Sequence, residues 1–242
     1  LAFTYLGGSK SDQADSIVIA SDGSVFILGE TESSGLATGG AYDRSNGILQ
    51  DVFVAKFDPT LSTLLAFTYF GGNPQDYGYG MAIGGDGSIY ITGYTTSTDL
   101  ATQGAYDTTI EGTDAFIAKF DASLSTLIAC TYLGGSGGDT GIAIAIVGDL
   151  VYVAGSSSVS EDNGLDAYLA CLDDSLSSLL FSSHLGGTGK IEGAYCLAFA
   201  SDGTIIMGGR TDSANMPMKN SVDNTYNGGR DIFITRWTPP TV

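Results

Sequence analysis

One unit recurs four times in this chain, and the last piece of that unit also stands at the front. Leu1-Ala2-Phe3-Thr4-Tyr5-Leu6-Gly7-Gly8 returns as Leu65 to Gly72, as Ile128 to Gly135, and in weaker form as Leu180 to Gly187. A unit of this size cannot bury its apolar face alone, so the copies must stack on one another. The order inside each copy is constant. An apolar strand comes first, over 16–20, 80–84, 142–147 and 196–200, and runs into Asp22-Gly23, Asp86-Gly87, Gly148-Asp149 or Asp202-Gly203. A second strand follows over 25–28, 89–92, 151–154 and 205–208, with Gly next at 29, 93, 155 and 209. Asp-Gly between apolar runs signals a hairpin, because the primed turns need positive φ.

After a Ser/Thr-rich connection, Asp51, Asp114, Asp166 and Asp231 open a third strand, read as Val-Phe-Val-Ala-Lys-Phe in the first copy and Ile-Phe-Ile-Thr-Arg-Trp in the last. The strand ending in Gly-Gly then closes the unit. The Gly-Gly pairs at 7–8, 71–72, 134–135 and 186–187 lie 64, 63 and 52 residues apart. The short gap reflects the connection 156–164, which lacks the Gly-Ala-Tyr-Asp of 40–43 and 104–107. No segment carries a long 3.6-residue apolar period, so helices are expected to be few.

Four such strands make a propeller blade. The predicted fold is therefore all-β: a four-bladed β-propeller of four-stranded antiparallel blades, one domain over 1–242. The blades are expected at 13–72, 76–135, 139–187 and 192–242, each with its first strand at the axis and its fourth outermost. The fourth unit supplies only three strands, ending at Trp237. Leu1 to Leu6 is the missing one, so 1–8 is predicted to be the closing outer strand of blade 4, sealing the ring and removing its edges. The same strand could instead complete the last blade of a neighbouring molecule and build a fibre. The chain could also be a stretch of a longer propeller.

Asp86 to Gly93, Gly104 to Asp107, Asp114 to Asp121 and Thr131 to Gly135 together resemble the bacterial β-propeller repeat family often called SBBP repeats. The resemblance runs over nearly the whole chain. It implies a secreted or cell-surface protein, of a kind found beside adhesion-type domains, and carries no common catalytic residues. The family name implies seven blades, whereas four are offered here.

The net charge of −18, from 27 acids against 9 bases, opposes nucleic-acid binding, which needs cationic surface. It also opposes docking on an anionic membrane. Scarce lysine and exposed Ser, Thr and Gly point to an extracellular or cell-surface location. Cys130, Cys171 and Cys196 fall in predicted strands and are read as small buried hydrophobes, with one disulfide and a free thiol as the alternative. The chain starts at Leu1 with no signal peptide or transmembrane run and is read as a processed or trimmed product.

No catalytic centre emerges. Gly134 to Gly138 spells a nucleophile elbow but sits between strands, and the single histidine, His184, takes the place of Tyr5, Tyr69 and Tyr132. Gly187-Thr188-Gly189-Lys190 lacks the spacing of a phosphate loop. The recurrent Asp51, Asp114, Asp166 and Asp231, and Asp58, Asp121 and Asp173, are read first as turn caps, with calcium as the functional alternative. Glu161, Asp162, Asn163 and Asp166 form the best hard-cation candidate, and calcium is the one cofactor considered. Phe53, Phe116, Tyr168 and Phe233, and Phe26, Tyr90 and Tyr152, are expected to make contacts between blades. Tyr42 and Tyr106 either brace the long connections or belong to a binding face.

The expected function is a non-enzymatic extracellular structural or adhesive unit, whose partners are protein neighbours or copies of itself and which could assemble into a surface fibre. The alternative is a module that binds a glycan or calcium through one loop face. A hydrolase is the third reading. Neither nucleic-acid binding nor membrane insertion is expected.

Overall fold

The computed structural model describes residues 1–47, 49–73, 75–158, 164–188 and 191–238. Among the described residues fifteen strands form four antiparallel sheets. The first holds β1 (Asp12–Ile19), β2 (Val25–Thr31), β3 (Asp51–Phe57) and β4 (Leu64–Phe70) in sequence order. The second holds β5 (Asp76–Ile83), β6 (Ile89–Thr95), β7 (Asp114–Phe120) and β8 (Leu127–Leu133). The third holds β9 (Asp139–Val147), β10 (Leu150–Ser157), β11 (Asp166–Asp173) and β12 (Leu179–Leu185). The fourth has three strands, β13 (Gly193–Phe199), β14 (Ile205–Thr211) and β15 (Asp231–Trp237).

The Asp-Gly hairpins form where the turn residues require them, though not in the primed geometry. Gly23 N donates to Ala20 O (2.9 Å) and Ala20 N to Ser24 O (2.9 Å), which makes a three-residue loop. Only its glycine is left-handed, at φ 83°. Asp22 instead accepts Ser24 N (2.8 Å), and Asp86 and Asp202 hold Ser88 N and Thr204 N alike. The second hairpin of each complete sheet turns on a leucine in the left-handed region, Leu61, Leu124 or Leu176, at φ 58–59°. A carboxylate at its base holds it there: Asp58 Oδ1 accepts Ser62 N (2.8 Å) and Thr63 N (2.7 Å), and Asp121 and Asp173 repeat the arrangement. These three aspartates are therefore turn caps.

Successive sheets pack face to face, and their first strands approach one another in series, β1 to β5 to β9 to β13. Between the first two sheets Phe26, Leu28, Val52, Val54 and Phe70 meet Met81, Ile89, Phe116 and Phe120. The Phe70 and Phe116 rings lie 5.1 Å apart. Each large side chain removed from water here is worth about 1.5–3 kcal/mol. Tyr152 and Phe233 join the last two sheets in the same way, while Phe53 faces the outer side of the first sheet with Phe57, Phe67 and Tyr69. Lys119 ties the second sheet to the third, 3.6 Å from both Asp86 and Asp174. Cys130 and Cys171 are buried, whereas Cys196 is exposed, against the expectation of three buried thiols.

The expected closed four-bladed propeller is not what forms. The four sheets stack as an open series: among the described residues no substantial packing returns the fourth sheet to the first, and no strand pairs with the outer edge of β15. Residues 1–8 are not the closing outer strand of the last sheet. Leu1, Phe3 and Tyr5 are exposed, and the segment is tethered to the first sheet through Gly8 N, which donates to Asp12 Oδ2 (2.8 Å). The tether holds the segment at the first sheet, which the fourth sheet does not pack against among the described residues, so the outer edge of β15 is out of its reach.

Candidate functional site

Each first strand carries one β-bulge, at the same place in the repeat. The pairing of β1 with β2 slips between Ala14 and Ser16, that of β5 with β6 between Gly78 and Gly80, and that of β13 with β14 between Ala194 and Cys196. In β9 the slip lies opposite Ala154 and Gly155. The residues left over are Asp15, Tyr79, Ile142 and Tyr195. A bulge re-aims the side chain it carries and commonly borders a binding site. Opposite each stands a glycine that admits no side chain. A Cβ on Gly29, Gly93, Gly155 or Gly209 would collide with the carbonyl oxygen of Gln13, Tyr77, Thr140 or Gly193.

Around this invariant backbone the side chains differ from sheet to sheet. The residue pair bordering the bulge is Gln13 with Glu30, Tyr77 with Tyr94, Thr140 with Ser156, and Gly193 with Arg210. The repeat thus breaks its symmetry at one rim. At the rim of the second sheet three tyrosines gather, all half-buried. Tyr77 stacks on Tyr94 with ring centres 4.6 Å apart and planes 18° apart, and Tyr79 lies 5.9 Å from Tyr94.

Glu30 of the first sheet lies near enough to Tyr79 for its charge to act on that hydroxyl. It is 4% exposed, its Oε2 accepts Gln50 Nε2 (3.1 Å), and its Oε1 has no hydrogen-bond partner. Burial first, and the Asp15 charge second, push its carboxyl up to about 7. Burial, followed by the Glu30 charge, raises the Tyr79 hydroxyl to about 12. Near neutral pH the Glu30 carboxyl is thus divided between donor-bearing and acceptor forms, beside tyrosine hydroxyls that stay protonated. The fourth sheet carries a smaller counterpart, with Arg210 5.4 Å over the Tyr195 ring.

A second recurring constellation lies between sheets. Asp12, Asp76, Asp139 and Glu192 open or precede the first strands and tie each sheet to the chain that enters it. Asp76 Oδ2 accepts Gly72 N (2.8 Å) and Ser97 Oγ (3.0 Å), while Thr95 Oγ1 donates to its Oδ1. Asp139 takes Gly135 N (2.9 Å), and Glu192 takes Thr211 Oγ1 (2.9 Å) and Ser213 Oγ (2.7 Å). The predicted third-strand acids stand next to these latches: Asp51 and Asp76 flank Gly71, and Asp114 and Asp139 flank Gly134. Asp51 takes Gly47 N (2.5 Å) and Asp114 takes Glu111 N (3.3 Å), and each keeps one buried oxygen without a partner. Burial, reinforced by the neighbouring carboxylate, pushes both up to about 6.

Of the candidates read from sequence, Asp166 opens β11 beside Gly186, and Glu161, Asp162 and Asn163 lie outside the described residues. No group of three or more potential metal ligands assembles among the described residues. Tyr42 and Tyr106 brace neighbouring sheets: their backbone N–H groups donate to Leu124 O and Leu176 O (2.9 Å each), and both rings stay half-exposed. His184 pairs across the ladder with Tyr168, the two rings 6.3 Å apart. The rim cluster and the latch acids were not singled out from sequence. A signal for the latches was present, since an Asp follows the second glycine of the first three Gly-Gly pairs by four residues, at 12, 76 and 139.

A family model described as "Beta-propeller repeat" (SBBP) matches residues 67–101, which span the end of the first sheet and half of the second. No curated protein sequence matches the chain. Among solved structures, 1,3Gal43A, an exo-beta-1,3-galactanase from Clostridium thermocellum, is similar at 14% identity with a TM-score of 0.40. The likeness covers 80% of this chain and 41% of that one, so the chain spans about two-fifths of that protein's length. No helix among the described residues is long and apolar enough to cross a membrane.

Proposed function

We propose that this chain is a ligand-binding module that takes a neutral glycan at the rim of the second sheet. The observation that carries the reading is the tyrosine cluster at Tyr77, Tyr79 and Tyr94, set against the buried Glu30 where the repeat departs from its own pattern. Half-exposed aromatic rings offer flat apolar faces to sugar C–H groups, and their hydroxyls remain polar handles. The tyrosine hydroxyls and the Gln50 amide, whose Nε2 donates to Glu30 Oε2, supply acceptors and donors for sugar hydroxyls. The net charge of −18 disfavours acidic ligands. We further propose that the module acts outside the cell or on its surface, where such ligands are displayed.

Isothermal titration against a panel of neutral oligosaccharides tests this. Binding by the intact chain, weakened about tenfold (~1.4 kcal/mol) or more by Tyr94→Ala, is the expected result. Glu30→Gln should flatten the pH dependence of affinity around pH 7. No heat from any member of the panel would remove the reading. A second reading, a structural or adhesive unit that associates with protein neighbours, is favoured by the unpaired outer edge of β15.

A further inference from the structure

The three complete sheets end in the strands β4, β8 and β12, whereas the fourth sheet stops at β15. Beside β15 a cavity of about 400 Å³ opens, lined among others by Thr211, Ser213, Ile232 and Phe233. The equivalent space in the first sheet is filled by Tyr69. There Tyr69 sits opposite Phe53, donates to Ser33 O (2.9 Å), accepts Leu36 N (3.0 Å) and is fully buried. Tyr132 repeats this in the second sheet against Phe116, Ser97 and Leu100. In the fourth sheet Phe233 stands at the place of Phe53, and among the described residues no strand places a tyrosine opposite it. The chain holds one unused copy of that strand. Leu1 to Leu6 repeats Leu65 to Phe70 in all but the last residue, yet Phe3 is 77% and Tyr5 89% exposed, where Phe67 and Tyr69 are at 0%.

We propose that Leu1 to Leu6 of one copy adds to the outer edge of β15 in a second copy, with Tyr5 filling the cavity opposite Phe233. The donor is already set for this. Gly8 N donates to Asp12 as Gly72 N does to Asp76 and Gly135 N to Asp139, the two turns that lead from an outer strand into the next sheet. The faces also match. Ile17 and Ile19 on β1 are 62% and 69% exposed, at the positions where Met81 and Ile83 pack on the preceding sheet. Ile232 and Ile234 on β15 are 82% and 77% exposed, at the positions where Val52 and Val54 receive the following sheet. One head-to-tail contact covers both faces and fills the cavity. Exchange in both directions joins two copies, and exchange in one direction runs on as a fibre.

Sedimentation velocity of the full chain over a wide concentration range tests the proposal. The expected result is mass growing with concentration to at least twice that of one chain. Phe3→Asp with Tyr5→Asp removes the donor while changing only exposed side chains, and should hold the chain as a monomer. Ile232→Asp with Ile234→Asp removes the acceptor and should do the same. An equimolar mixture of the two variants keeps one working donor and one working acceptor, and should form a one-to-one pair and nothing larger. A parent chain that stays monomeric at every concentration overturns the proposal, whether its own N-terminal strand or nothing covers β15. So does a donor variant that still associates, or a mixture that fails to pair.

Discussion

Asp51 and Asp114 are held almost wholly out of water, each beside a second carboxyl and each with one oxygen lacking a partner. Their titration lies above that of an ordinary aspartate, at about 6. The folded state therefore binds more protons than the unfolded chain between about pH 4 and pH 6. The stability these groups contribute is complete below that window and is lost as pH rises through it. Glu30 extends the loss towards pH 7. Asp58 acts in the opposite sense, since the Thr60 hydroxyl leads a set of hydrogen bonds that hold it down at about 2, so its contribution is lost in strong acid. Thermal unfolding followed by circular dichroism should give a maximum near pH 4–5 and a midpoint lower at pH 7.5. Asp51→Asn with Asp114→Asn should flatten the fall between those two values. The recurrence of these acids was plain in the sequence, and so was a capping role. Their pairing with Asp76 and Asp139 was not, because it arises between sheets, from residues 25 positions apart in both cases.

At the scale of the element, the first strands run three to four residues further towards the N-terminus than their apolar pattern indicates. β1 begins at Asp12 and β5 at Asp76, where alternation points to 16 and 80. The bulge is the cause: one extra residue breaks the period of two, so the polar half of the strand reads as a loop. The second, third and fourth strands contain no such break before their ends and were legible from their alternation. The glycines at 29, 93, 155 and 209 were visible as strand endings, yet they lie inside β2, β6, β10 and β14. Each is needed because a carbonyl of the bulged strand lies where its Cβ would go. Gly93→Ala should therefore cost on the order of 2–4 kcal/mol, by forcing the Tyr77 carbonyl away, and urea unfolding should report it. Gly87→Ala bears on a turn with open space around it, so only its left-handed φ of 84° is strained and the cost should be about 1 kcal/mol.

Over the whole molecule, the middle of the series and its ends are different environments. All seven residues of β7 are buried, whereas β15 exposes Ile232, Ile234 and Arg236 in alternation. Local opening follows such differences in packing. Hydrogen exchange on the monomeric donor variant should find the β7 amides slowest and those of β15 among the fastest of the ladder amides. The repeat disclosed the number and strand order of the sheets, because each sheet is a local, sequence-contiguous object. It did not disclose closure, because that depends on small rotations accumulated between sheets, and no single residue encodes them. The bulged rim has a further consequence. Its shape is set by glycine meeting backbone, so the side chains at 15, 79, 142 and 195 carry none of that burden. They form an interchangeable alphabet on a fixed page: new letters could be written there, by drift or by design, while the lines that hold them stay ruled.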